Sequence, residues 1–266
     1  KHWETNDFEN FKPIASGGPQ AWTIPQVVDV VEWGKDGSRV KRSPSETRYG
    51  NDSFYGSEGL AWTYIKRTGR RFGYYSGGLF SYKGLLLIPR DNTSLWKLMA
   101  ILNSDLYNSI FLSQTWEREW NAGEVGAAPW IDELFSIDLL DELAKEQYES
   151  MLWIRSSDPV SPYYAGAALI PKEYDREHIY HHPHKNNTRE WLDSRTEPAS
   201  ADLPITKSAR RVNQQELLEK ENLEDLASEI DSLIYQNLGI GNETREQIRT
   251  EIFLRSAEDP EDREVP

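Results

Sequence analysis

Six consecutive residues, Lys66-Arg67-Thr68-Gly69-Arg70-Arg71, place four cations beside Trp62, Tyr64, Phe72, Tyr74 and Tyr75. Cations neutralise phosphates, and flat rings or guanidinium planes stack on bases. The loop therefore carries the chemistry to hold a nucleic acid. Its arginines flank Gly69, a turn residue, and are expected to be exposed. The plainer alternative is a solvated turn between two strands whose rings are core. A second cationic run, Lys35, Arg39, Lys41 and Arg42, lies in a polar loop and can track a phosphate backbone. Trp116, Arg118, Trp120 and Asn121 form a third group beside a glycine-punctuated loop.

Other constellations carry less. Four of the five histidines, His178, His181, His182 and His184, fall in one run with Glu177. Imidazoles at that density can bind zinc or nickel, but Pro183 disfavours helical presentation, and a polar loop is the expected reading. Asp132, Glu133, Asp138, Asp141 and Glu142 read as solvated charge on an acidic helical surface. The chain has no cysteine, which excludes disulfides and thiolate metal sites. Its glycine-rich stretches lack the spacing of a phosphate-binding loop and read as turns.

The chain has 266 residues and a net charge of −14. That balance opposes a nucleic-acid partner until its distribution is read. From Trp33 to Arg71 there are nine cations against four anions, a local balance of +5. From Glu216 onward there are fifteen acids against five bases, or −10. A basic face on an acidic body is compatible with DNA binding. The acidic surplus, with Arg outnumbering Lys, points to a salt-adapted organism. In molar salt the Debye length shrinks to about 3 Å, so net charge repels DNA little. No apolar run approaches the ~20 residues of a membrane span. Lys1 is not followed by a signal-peptide pattern. A cytoplasmic protein starting inside a longer polypeptide is the expectation.

The elements that must position these residues are legible in part. VVDVVEW at 27–33 reads as a strand, followed by a polar loop with a hairpin around Asp36-Gly37. Leu85 to Ile88 is a buried strand stopped by Pro89. The stripe Leu95, Leu98, Met99, Leu102, Leu106 and Ile110 predicts one helix over 94–113, capped from within Asp91–Ser94. Helices are also expected over 137–154 and about 214–238, with Gly239 as the stop and Asn242 capping a last one. Residues 155–213 are a polar insertion, and the tail SAEDPEDREVP is expected to lack order. The fold class is α+β: a β-rich part over 1–136 and an acidic helical extension over 137–266.

Five segments occur in an order that resembles a family. ASGGPQAWTIPQVVDVVEWGKDGSRVKR places Gly17, Gly18, Val31, Trp33, Asp36, Gly37 and Val40 where PglX-type methyltransferases of BREX phage defence carry matching residues. GLAWTYIKRTGRRFGYY, LMAILNSDLYNSIF, NAGEVGAAPW and EIDSLIYQNLGIG resemble later segments of the same enzymes. The resemblance covers most of the chain outside 155–213. It implies a TaqI-like target-recognition domain of an adenine-specific DNA methyltransferase, in phage defence or restriction–modification. The family's catalytic half binds S-adenosylmethionine through a glycine-rich loop. An Asn/Asp-Pro-Pro-Tyr/Phe motif there holds an adenine taken out of the stack. Neither motif occurs here, and Ala128-Pro129 replaces the family's Leu-Pro.

The chain is thus expected to bind no cofactor and to be inactive alone. Its implied partners are double-stranded DNA and a catalytic half, in cis or as a separate subunit. Candidate DNA-binding residues are Lys66, Arg67, Arg70 and Arg71 for phosphates or guanine edges, Trp62 and Tyr64 for stacking or wedge contacts, Lys35, Arg39, Lys41 and Arg42 for the backbone, and Trp116, Arg118, Trp120 and Asn121. The alternative is a protein-interaction module, whose acidic helical end docks another defence component or mimics DNA charge.

Overall fold

Two small sheets and a set of helices share the chain, an α+β arrangement. The computed structural model describes residues 1, 5, 7, 9–15, 22–42, 51–65, 69–81, 83–90, 92–115, 119–156, 158, 161, 163 and 205–256. The strands are β1 Phe11–Ala15, β2 Val27–Glu32, β3 Gly59–Thr63, β4 Phe72–Tyr75, β5 Leu79–Phe80 and β6 Gly84–Leu87. The first sheet has the order β2-β1-β5, with β1 antiparallel to β2 and parallel to β5. The second is antiparallel, in the order β4-β3-β6.

Strand β3, GLAWT, is buried at every position. Side chains alternate across a strand, so burial throughout requires cover on both faces. Leu60 and Trp62 enter the main core with Phe72 and Tyr74. Ala61 faces the other way, into a small cluster with Ala15, Val27 and Tyr75. The first sheet thus covers one face of the second, and helices cover the other.

After β2 a short 3-10 turn, Lys35–Gly37, leads into α1, Ser38–Lys41. Asp36 and Gly37 sit inside this turn, and among the described residues no following strand pairs with β2 to make them a hairpin tip. The expected helix over 94–113 is two helices, α2 Leu95–Leu102 and α3 Asp105–Gln114. Ser94 and Ser104 each cap a first turn, their side chains accepting from Lys97 N and Tyr107 N. The glycine-punctuated loop holds α4, Ala122–Gly126, closed by a capping box between Asn121 and Glu124. Then come α5 Asp132–Phe135, α6 Leu139–Ser156, α7 Ile205–Asn237 and α8 Asn242–Ser256. Gly239 has φ +65°, the left-handed stop expected after α7.

Helix α6 packs on α2 and α7, and α8 packs on α3. On one face of α7, Leu223, Leu226, Ala227, Ile230 and Ile234 recur at helical spacing and are buried. One core runs from β3 and β4 through α2 and α3 into α6 and α7, on both sides of residue 136. Aromatic rings knit it together. Tyr74 stacks on Trp96 at 4.5 Å and meets Tyr148 edge-on at 5.6 Å. Fully burying one large apolar side chain contributes about 1.5–3 kcal/mol, so this cluster dominates the fold. Among the described residues, no helix is long and apolar enough to cross a membrane.

Candidate nucleic-acid interface

The turn at 35–42 is anchored from beneath and charged on top. Gly34 and Gly37 both have positive φ, +64° and +74°. At Gly37 a Cβ would also lie 2.9 Å from Cζ2 of Trp33, so glycine is required there twice over. Trp33 is held edge-on against Tyr55 at 5.4 Å, and Tyr55 packs on Phe80 at 5.0 Å. Arg39 N donates to Trp33 O at 3.1 Å, tying α1 to the end of β2. Upon this base Lys35, Arg39, Lys41 and Arg42 are all exposed. Arg39 reaches Glu32 at 3.3 Å, an exposed pair that adds little stability. The structure therefore presents four cations in eight residues on a fixed backbone.

The 66–71 loop is arranged differently. Gly69 has φ +83°, as a turn requires, but the arginines after it turn inward. Arg71 is fully buried, which corrects the expectation of exposure. Its guanidinium lies over the Trp120 ring, 3.4 Å from the centroid, and Nη1 is 3.4 Å from Thr63 O. Burial pulls its pKa down to about 9, which leaves it a cation at neutral pH. Arg70 is also drawn in. Its guanidinium faces Glu224 at 3.2 Å, Asp231 at 3.6 Å and Asp105 at 3.8 Å, and lies over the Trp22 ring at 4.8 Å. Arg70 thus ties the strand entry to α3 and α7.

The aromatic candidates of this loop are structural as well. Trp62 is 4% exposed and donates its indole N–H to Trp120 O, so it is not positioned as a wedge. Trp120 is buried beneath Arg71. Tyr64 is half-buried and donates to Glu119 at 2.7 Å, a bond that raises the phenol's pKa. Asn121 accepts from the backbone of Gly123 and Glu124 and serves as a helix cap. Lys66, Arg67, Trp116, Arg118 and the histidine run at 178–184 lie outside the described residues.

Two positioning groups escaped the sequence reading. Asn103, at the break between α2 and α3, is buried and makes three bonds to the entry of β4. Its Oδ1 accepts from Arg71 N and Phe72 N, each at 3.0 Å, and its Nδ2 donates to Phe72 O at 2.8 Å. The second is Asp231, buried on α7, whose Oδ1 accepts from Asp105 N at the start of α3. Desolvation raises its pKa, and the neighbouring Asp105 adds to the rise, while Arg70 opposes it. A local signal existed for each. Asn103-Ser104 is a cap sequence inside an apolar stripe, and Glu224 and Asp231 lie seven residues apart on one helix face.

No protein-family model matches this chain, and no curated protein matches it.

Proposed function

We propose that this chain is the DNA target-recognition module of an adenine-N6 methyltransferase in phage defence or restriction–modification, with a TaqI-like recognition fold. The Lys35–Arg42 turn is its duplex-contacting face. The observation that carries this reading is the set of four exposed cations on a backbone fixed by Trp33 and two positive-φ glycines. Cations on a rigid turn bind phosphates with little ordering cost. The ordered resemblance of five segments to PglX-type enzymes supports the same reading. Methyl transfer would belong to the catalytic half, because the cofactor and adenine-pocket motifs are absent from this chain.

The role of this chain is then to grip and orient DNA. Phosphate contacts from Lys35, Arg39, Lys41 and Arg42 would fix register. Arg70 and Arg71 would act indirectly, by holding the base of the neighbouring loop in place. The test is duplex binding by a variant carrying Arg39→Glu and Lys41→Glu. Affinity at low salt should fall at least about tenfold, because charge reversal replaces two attractions with repulsion. The melting temperature should stay unchanged, since both side chains are exposed. Equal affinity in the variant would move the duplex face elsewhere.

A second reading has its own observation. Leu217 and Leu218 are 61% and 50% exposed on the acidic helix α7. Exposed leucines among acids suit docking to another protein. Loss of association with a defence component in a Leu217→Ser, Leu218→Ser variant, with DNA binding intact, would favour that reading.

A further inference from the structure

A groove of about 360 Å³ lies between the end of β6, helix α2 and the α4–α5 connection. Its floor is apolar, formed by Leu98, Ile101, Leu102 and Val125. On one rim stands Trp130, which is 58% exposed. Its indole is not loose. It stacks on Phe135 at 4.0 Å and 12°, and its N–H donates to Asp132 at 2.8 Å. Tyr107 donates its hydroxyl to Pro129 O at 2.6 Å, which pins the segment carrying Trp130. Burial pushes the pKa of that hydroxyl up to about 12, so it stays a donor. Arg90 also lines the groove, exposed and without an ion pair among the described residues. Of the described residues lining the groove, Arg90 alone carries a charge.

An oriented indole face, an apolar floor and one cation together select a ligand. It should have a flat, weakly polar ring and an anionic group a few ångströms from it. We propose that this groove binds an unpaired base of single-stranded DNA, with Trp130 stacking on the ring and Arg90 neutralising the adjoining phosphate. A paired base inside a duplex cannot offer its face to Trp130, so the site reads strands and not helices. A lone cation in an otherwise uncharged lining favours an anionic ligand over an acid-poor peptide. This site is separate from the duplex face of the Lys35–Arg42 turn and does not depend on it.

The test uses a short fluorescein-labelled oligothymidylate, an abasic strand of equal length and a duplex, each titrated by anisotropy. Trp130→Ala should weaken oligothymidylate binding by about fivefold or more, and Trp130→Phe should restore most of it. Arg90→Glu should weaken it at low salt and much less at high salt. The abasic strand should bind weakly and be indifferent to Trp130→Ala. Duplex affinity should be untouched by the Trp130 variants. Far-UV circular dichroism should show the variants folded, as both side chains are exposed. Strand binding unchanged in Trp130→Ala, or absent from the parent chain, would overturn the proposal. It would do so while the duplex measurement judges the turn on its own. Trp130-dependent binding of an aromatic, acidic peptide in place of the strand would assign the groove to a protein and overturn it too.

Discussion

The guanidinium of Arg71 lies 3.4 Å from the centre of the Trp120 indole, inside the core. A desolvated cation over an indole contributes about 2 kcal/mol or more. Truncation also leaves a void beneath β3. Arg71→Ala should therefore cost about 3 kcal/mol, seen as a lower urea midpoint. Arg71→Met fills the volume without a buried charge and should recover much of that loss. A midpoint unmoved by Arg71→Ala would mean that the stack adds nothing.

Asn103 satisfies two backbone N–H groups and one carbonyl at the entry of β4. Asn103→Ala leaves two buried donors without an acceptor, each costing about 1–3 kcal/mol. The expected total is about 2–6 kcal/mol. Asn103→Asp keeps the acceptor and loses the donor to Phe72 O, so it should fall between. Thermal melts of the three proteins test this ranking.

Asp231 gives a pH dependence of known sign. Its folded pKa is raised, to about 7, above that of a solvated carboxyl. Asp105, Arg70, Arg249 and Tyr235 surround it, and Glu224 shares Arg70 with it. A raised folded pKa means the native state holds the proton more tightly. The resulting stability is full below the ordinary carboxylate range and is lost as pH rises through neutrality. Asp231→Asn should remove this loss and still accept from Asp105 N. The difference in stability between variant and parent should shift by at most about 1.4 kcal/mol per pH unit across that window. Parallel curves for the two proteins would refute the assignment.

Gly37 links the backbone to the charged face. At φ +74°, with Trp33 2.9 Å from any Cβ, alanine is both strained and crowded. Gly37→Ala should cost about 1–2 kcal/mol and displace α1. Duplex affinity should fall although no charge is removed. Full affinity in a destabilised Gly37→Ala protein would show that the turn geometry is irrelevant to binding.

The contrast between the two cationic runs shows what local sequence can carry. Strands near 27–32 and 84–87, helices near 139–156 and over 214–237, and the stop at Gly239 were legible from periodicity and breakers, whereas the first turns of α7, residues 205–213, read as part of the polar insertion and are helical instead. The break at Asn103-Ser104 was hidden because the apolar stripe continues in register across it. The α4 helix was hidden by its glycines, although Asn121 and Glu124 spell a capping box. Arg71 was unreadable for a deeper reason. A charge beside a turn is normally solvated, and its compensation here is Trp120, distant in sequence and adjacent only once β3, β4 and α3 are packed. Arg70 likewise meets carboxylates on α3 and α7. Exposure at 35–42 was legible because that turn is short, polar and glycine-bounded.

The most direct measurement is the salt dependence of duplex affinity, for the parent chain and for a variant with Lys35, Arg39, Lys41 and Arg42 all changed to Ala. Each neutralised phosphate adds about 0.9 to the steepness of log affinity against log salt. The parent should bind duplex at low salt with a steep negative slope. The variant should bind weakly, with a slope shallower by about 0.9 for every phosphate it no longer neutralises and an unchanged melting temperature. Identical slopes and affinities in the two proteins would contradict a duplex face on the Lys35–Arg42 turn.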